Sequence, residues 1–406
     1  MILVKEAQKI ILEKLQPLES QKIPILETLG HVLDEDIFAQ RDNPPADNSA
    51  MDGYALRYED ISTIVQGKPA LLKIIEDIPA GKPPIKTIHA GEAARIMTGA
   101  LAPEGADTVV MQEDTKRENG SVCILKPQKI GSNIRKQGED FKKGDLLVSR
   151  GEVIKSTNLG IMVTAGFSSL SVHRRPVIAI LSTGDELVDI DSKVENHQII
   201  NSNSYILASQ VIQCGGKPIL LGIVPDQKEV IKEKLLQAEK ADIIITSGGV
   251  SVGDYDFVKD AIKELGSELV IWKIAMKPGK PLTFSMLGNR PVFGLPGNPV
   301  SSFVSFEQFV RPAILKLSGH KELFRKIIRA TLSEDVKKKN DGRKHFLRAV
   351  LSYKKEGCFV APLSGQGSGM MASLAAANSF LIVPEETTEL KAGQQVDVQL
   401  LNSLEV

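Results

Sequence analysis

The stretch from about Arg175 to Gly319 constrains the fold of this chain more than any other. Short apolar runs alternate there with helical segments: "PVIAIL" then "NSNSYILASQVIQCGG", "KPILLGIV" then "DQKEVIKEKLLQAEK", "ADIIIT" then "DFVKDAIKELG". The runs "ELVIWKIA", "PLTFSML" and "PVFGL" follow, and the helical "PVSSFVSFEQFVRPAILKLSG" closes the region. A strand that is apolar throughout needs cover on both faces, and a helix between two strands brings the chain back parallel. The pattern predicts a doubly wound, mostly parallel sheet. A hairpin around Leu282 and Val292, turned by Gly288-Asn289, attaches to it.

The flanks read differently. A chain of 406 residues is too long for one ordinary core and predicts roughly two to four domains. Residues 45–140 carry short strand-like runs between Gly and Pro punctuation ("LLKIIE", "AARIMTG", "DTVVMQE", "VCILKP"), which reads as a small β-rich domain. Residues 323–406 ("KIIRATL", "KHFLRAVLSY", "CFVAPL", "SFLIVPE", "QQVDVQLL") read as a second β domain. Near the start, Val4, Ala7, Ile11 and Leu15 recur at helical spacing. Residues 141–174 are expected to pack with that helix, so that 1–44 plus 141–174 form one discontinuous helical and extended domain. The central domain is then 175–322, and the fold class is multidomain α/β.

Composition excludes several functions. Lys plus Arg and Asp plus Glu each total 50, so there is no chain-wide basic footprint for nucleic acid. Cys123, Cys214 and Cys358 are far apart and form no CxxC pair, which predicts free thiols in a reducing compartment. Lys5, Glu6 and Lys9 interrupt any signal-peptide core, and no run approaches the ~18 apolar residues of a membrane span. The expectation is a cytoplasmic protein that binds neither membrane nor nucleic acid. No GxxxxGK[ST] occurs and no GxGxxG follows the first strand, which argues against a P-loop kinase and a dinucleotide site. The histidines form no metal-spaced cluster, and His31 and His173 read as packing or surface residues.

In open α/β sheets ligands bind beyond the carboxyl ends of the strands. Here those ends carry "STGDE" (Ser182 to Glu186), Pro225-Asp226, "SGGVSVGDYD" (Ser247 to Asp256), "MKPGKP" (Met276 to Pro281) and "PGNP" (Pro296 to Pro299). If the strands are parallel, one rim collects Asp185, Glu186, Asp226, Asp254 and Asp256 with Lys277, Lys280, the hydroxyls of Ser182, Thr183 and Ser251, and many glycines. Gly-rich backbone running into a helix cradles phosphate through its N–H groups. Thr183, Gly184, Ser247, Gly248, Gly249, Pro296, Gly297 and Asn298 are the candidates for that task. Each loop also has a plain structural reading. Asp226 with Glu229 makes a capping box, and Asn298-Pro299 is a good helix start. Lys277 and Lys280 flank a Pro-Gly pair that could simply turn a hairpin. Together the loops point to a phosphate-bearing substrate with Mg²⁺, which takes one or two carboxylates plus phosphate oxygens. Outside the rim, "PPADNSAMDGYAL", "GSNIRKQGEDFKKGDLL" and "SGQGSGMMASLAAAN" are unusually polar or Gly-rich.

The motifs "NSAMDGYA", "RIMTGA", "NIRKQGEDFKKGDLL", "STGDEL", "TSGGVSVGDYDFVK", "WKIAMKPGKPLTF", "GLPGNPVSSF" and "SGQGSGM" occur in this order over nearly the whole chain. The chain therefore resembles the molybdopterin molybdenumtransferase family, MoeA in bacteria and the E domain of gephyrin and its plant counterpart. The resemblance implies an elongated homodimer with a MogA-like central domain. It implies insertion of molybdate into adenylylated molybdopterin, with Mg²⁺-dependent release of AMP. By resemblance, Glu186, Asp226 and Asp256 are acids tied to metal and phosphates, Lys277 and Lys280 are anion-binding, and Ser251 is a neighbouring hydroxyl. Arg343 and Ser368 match residues that the last domain adds to the molybdate pocket. Asp52, Thr98, Arg135 and Asp140 match polar residues that face the other subunit's central domain, so the site is shared across the dimer. The partners implied are molybdopterin adenylyltransferase and molybdoenzyme maturation factors. The rival readings are the adenylyltransferase itself, which resembles only the central domain, and a non-enzymatic dimeric scaffold. Tungstate in place of molybdate also fits the same charge and size.

Overall fold

The computed structural model describes residues 1–62, 64, 69–126, 128–249, 257–267 and 269–401, with Trp272 described by its backbone alone. Ser251, Asp254 and Asp256 lie outside these residues.

The central region folds as its alternating pattern predicts. β1 (Val177–Thr183), β2 (Lys217–Val224), β3 (Ile243–Ser247), β4 (Leu269–Lys273), β5 (Pro281–Leu287) and β6 (Arg290–Leu295) form one sheet in the order β2-β1-β3-β6-β5-β4. β1 runs parallel to β2 and β3, and β3 runs parallel to β6. β5 is antiparallel to both β6 and β4, so β4 points the same way as the parallel set. Every loop singled out above therefore leaves the same rim. The helices Ser202–Gln213, Lys228–Gln237 and Phe257–Glu264 connect the strands. The β1 side chains divide between the faces: Ile178 and Ile180 enter one core, Ala179 and Leu181 the other. That division is why the run is apolar without interruption.

The N-terminal helix (Val4–Glu13) departs from expectation. It does not pack with 141–174. Val4, Ala7, Ile11 and Leu15 are buried in the central core, beside Phe309, Ala313 and Leu317. Lys316 Nζ donates to the Leu12 carbonyl at 2.6 Å, and Ile2 exchanges backbone bonds with Lys273 and Ala275. An apolar stripe shows that a helix needs a partner but not which partner. The apolar residues of 306–317 bury this stripe, and each buried Val, Ile or Leu contributes roughly 1.5–3 kcal/mol.

Residues 141–174 pair instead with the extended chain after that helix. Ser169–His173 runs antiparallel to Ser20–Pro24, and Leu146–Val148 pairs with Ile37–Phe38. His31 and His173 are buried there: His31 Nδ1 lies 3.1 Å from the His173 carbonyl, and His173 Nδ1 lies 2.9 Å from the Leu18 carbonyl. Between these segments sits a six-stranded sheet built from Gly53–Leu56, Ala70–Ile78, Glu92–Ile96, Thr108–Met111, Thr115–Glu118 and Ser121–Ile124.

The C-terminal strands β7 (Ile327–Leu332), β8 (Lys344–Lys354), β9 (Gly357–Pro362), β10 (Ser379–Val383) and β11 (Gln395–Leu400) are ordered β8-β9-β7-β11-β10, and β10 pairs back onto β8. The sheet closes into a barrel and so removes its edges. Phe346, Phe380 and Ile382 of the barrel share the central core with Val300, Val304 and the N-terminal helix.

Candidate active site at the carboxyl rim

A cleft of about 430 Å³ opens at the rim, lined by Thr183, Gly184, Glu186, Asp226, Ser247, Gly248, Gly249, Pro296, Gly297 and Asn298, with Asn203 and Pro281. All of these are central-domain residues. The parallel strands bring them together because each loop begins where a strand of the sheet ends: β1, β3 and β6 are buried, while β2, at the sheet edge, is buried only at Val224.

The loop conformations suit close approach of a ligand. Gly248 and Gly249 have φ of +97° and +65°, a region costly for side-chain-bearing residues. A Cβ on Gly248 would sit 2.4 Å from the Thr183 carbonyl oxygen. The backbone turns there and leaves no room for anything but glycine.

Of the two capping readings, the Asn298-Pro299 helix start holds in position and the Asp226 cap does not. The residue capping the helix at Lys228 is Gln227, not Asp226, and no side chain caps it. Asn298 does stand at the cap of the helix starting at Pro299, yet its side chain makes no capping bond. Asp226 Oδ1 and Thr183 Oγ1 are buried, and neither has a hydrogen-bond partner among the described residues. A buried unpaired polar group costs roughly 1–3 kcal/mol. Burial pushes the Asp226 carboxyl above the usual range; the neighbouring Thr183 hydroxyl, too poorly placed for a full hydrogen bond, pulls it down in part, and the negative charges of Asp185 and Glu186 add to the rise. An acid kept at that cost suits a site that receives a cation or a donor.

The lysine loop does more than turn. It joins the antiparallel neighbours β4 and β5, but its Met276–Lys277 segment also runs parallel to Lys344–His345 of the barrel. Lys277 and Lys280 are exposed and stand outside the cleft lining, next to Pro281. The last domain reaches the same place. The Ser368 carbonyl accepts from Val300 N–H at 3.0 Å, just inside the helix that follows the "PGNP" loop.

Arg343 is less free than an anion-binding residue would be. Its Nε and Nη2 donate to Asp341 Oδ2 at 3.0 and 2.5 Å. His345 Nε2 lies 3.1 Å from the same oxygen. Against the cost of desolvation, these bonds hold the Asp341 carboxyl down at about 2. Burial lowers the His345 proton affinity, which Asp341 partly restores and the positive charges of Lys338 and Lys277 lower further.

Asp52, Thr98, Arg135 and Asp140 are not in the cleft. Asp52 Oδ1 accepts from the Thr98 N–H and hydroxyl at 2.7 and 2.8 Å, which lowers its pKa. Arg135 and Asp140 line a separate shallow hollow with Asn43, Pro44, Asn48 and Glu139. Asn43 Nδ2 donates to Asp140 Oδ2 at 2.8 Å.

Two residues escaped the reading of motifs. Asn203 lines the cleft from inside an ordinary helical run, and its only signal is the polar density of "NSNS". Arg348 is fully buried within β8. Its Nη2 donates to the Gly365 and Gly367 carbonyls at 2.7 and 3.1 Å, and it braces the Gly-rich loop that carries Ser368. Its periodicity reads as an inward, normally apolar strand position, where an arginine is the anomaly.

Comparison with known proteins agrees with this geometry. Residues 2–166 match the model of the MoeA N-terminal region (domain I and II), 179–316 that of a probable molybdopterin binding domain, and 329–401 that of the MoeA C-terminal region (domain IV). The chain is 37% identical to a protein of Nostoc sp. named molybdopterin molybdenumtransferase, covering 97% of this chain and 92% of that one. It is 36% identical to the Staphylococcus epidermidis protein of the same name, covering 99% and 96%. A crystal structure of a molybdopterin biosynthesis MoeA protein from Pyrococcus horikoshii superposes with a TM-score of 0.85 at 32% identity, over 99% of this chain and 100% of that one. The chain belongs to the MoeA family, the molybdopterin molybdenumtransferases.

Proposed function

We propose that this protein inserts molybdate into adenylylated molybdopterin and releases AMP with Mg²⁺, a late step of molybdenum cofactor biosynthesis. The observation that carries the reading is the rim cleft, in which Glu186 and Asp226 share walls with Gly-rich loops and Asp226 is not spent on capping. The names of the curated relatives support the same transferase activity.

The substrate brings a pyrophosphate, and molybdate is a dianion. Gly248, Gly249 and Gly297 let backbone approach the phosphates closely, while Thr183 and Ser247 supply hydroxyls. We assign molybdate to the junction of rim and barrel, where Met276–Lys277 pairs with Lys344–His345 next to Arg343, with Lys280 and Ser368 as the further proposed contacts. For Mg²⁺, the donor chemistry fits. Asp226 offers an unpartnered buried oxygen and Glu186 a second carboxylate, and Mg²⁺ needs only one or two, completing its shell with water and phosphate. When bound, the ion would offset charge on the departing phosphate. Asp256, outside the described residues, belongs to the same proposal as a third acid.

The site is proposed to be completed in a homodimer. Asp52, Thr98, Arg135 and Asp140 do not line the cleft of their own chain, and a partner subunit gives them one to face. Molybdopterin adenylyltransferase would supply the substrate and molybdoenzyme maturation factors would take the product. No helix among the described residues is long and apolar enough to cross a membrane, and we assign the reaction to the cytoplasm. The test is AMP release from adenylylated molybdopterin by the pure protein. Release should require Mg²⁺ and rise with molybdate; no molybdate-stimulated release would end the proposal.

A further inference from the structure

We propose that Asn203 is a positioning residue for the phosphate-bearing substrate, because its amide ties the two Gly-rich loops of the cleft together and sets the gap between them. The proposal rests on the phosphate reading of the cleft given above.

Asn203 stands at the second position of the helix Ser202–Gln213 and lines the cleft. Its Nδ2 donates to Ser247 Oγ at 2.8 Å and to the Gly297 carbonyl at 2.8 Å. A carbonyl only accepts, so the amide can be oriented in one way. Ser247 opens one loop and Gly297 lies in the other. Their strands, β3 and β6, are neighbours, and the loops also meet where Gly248 N–H donates to the Leu295 carbonyl at 3.1 Å. A loop turning through Gly248 and Gly249 has little stiffness of its own, so its geometry must be held from outside.

Helix capping does not explain the residue. The cap is Asn201, whose side chain accepts from Ser204 N–H at 3.3 Å. Asn203 Oδ1 is buried with no partner among the described residues. Both amide protons go to the loops, and nothing in the helix requires them.

The full-length protein is tested as Asn203→Ala and Asn203→Asp, with Gln210→Ala as control. Gln210 lies on the same helix and donates to Glu307 at 3.0 Å, away from the cleft, so its removal reports loosening of the helix alone. The probe is inorganic pyrophosphate with Mg²⁺, measured by calorimetry, alongside hydrogen exchange of the amides at 247–249 and 297–298. Asn203→Ala should weaken pyrophosphate binding about tenfold and speed exchange in both loops. Asn203→Asp should weaken it further, since a carboxylate faces the Gly297 carbonyl and the bound anion. Gln210→Ala should leave the affinity unchanged. Affinity within twofold of wild type in Asn203→Ala, or an equal loss in Gln210→Ala, overturns the proposal. If the wild type binds no pyrophosphate while Asn203→Ala still loosens the loops, the phosphate reading falls and takes the substrate role of Asn203 with it, leaving only a loop tie.

Discussion

Gly248→Ala and Gly297→Ala test the cleft by asking whether its two glycine loops are equally intolerant of a methyl group. At Gly248 the backbone has φ +97°, which an L-residue adopts at a cost of about 1–2 kcal/mol. The added Cβ would also lie 2.4 Å from the Thr183 carbonyl oxygen and 3.0 Å from its hydroxyl. The first atom is backbone in a central strand and cannot swing away, so overpacking adds about 1–3 kcal/mol. Together these predict a loss of roughly 2–5 kcal/mol, a large part of the ~5–15 kcal/mol that holds a typical domain. At Gly297 the nearest atom is Gly248 Cα at 3.7 Å, ordinary contact distance, and φ is not in the left-handed region. That substitution should stay within about 0.5 kcal/mol, as surface changes away from special features do. Urea unfolding followed by circular dichroism, at fixed slope, gives both numbers. If Gly248→Ala matches wild type, or Gly297→Ala is the more damaging, then the tight turn against Thr183 is wrong and so is the cleft built on it.

Three further outcomes follow from the charges and thiols. Asp226→Asn should stabilise the protein at pH 7–8, because burial penalises the ionised carboxylate there. The gain should shrink as pH falls through the raised folded value and vanish below the ordinary 3.8, while AMP release is lost; denaturation midpoints across pH check it. Asp341 behaves oppositely. Its carboxyl is held at about 2, so its contribution is complete above 3.8 and fades as pH drops from there toward 2. Asp341→Asn should therefore lower the melting temperature at neutral pH and converge on wild type in acid. Cys214 is buried and its thiol is pushed to about 12, chiefly by burial with the charge of Glu307 adding. It should resist thiol reagents until the protein unfolds, whereas the half-buried Cys123 and Cys358 react in the native state.

The sequence by itself determined the central sheet and the rim. Apolar runs without polar alternation, spaced by helices, read as strands of one parallel sheet, so the loops of Thr183, Asp226, Gly248 and Gly297 emerge together; only the structure shows that the run before Asp226 is an edge strand with Ile219 and Leu220 exposed. It also determined the hairpin at Gly288-Asn289, since that turn is a local matter. Tertiary structure alone decided what depends on a distant partner. The stripe Val4, Ala7, Ile11 and Leu15 requires a hydrophobic neighbour, but only packing selects the 306–317 helix over residues 141–174. Asp226 and Asn298 look like helix caps in one dimension, and only the backbone shows that neither side chain caps its helix. Asn203 and Arg348 carry no motif, because their roles lie in bonds to loops far along the chain. Patterns of period and punctuation encode local geometry; a polar group's partner across the fold is encoded only in the folded molecule.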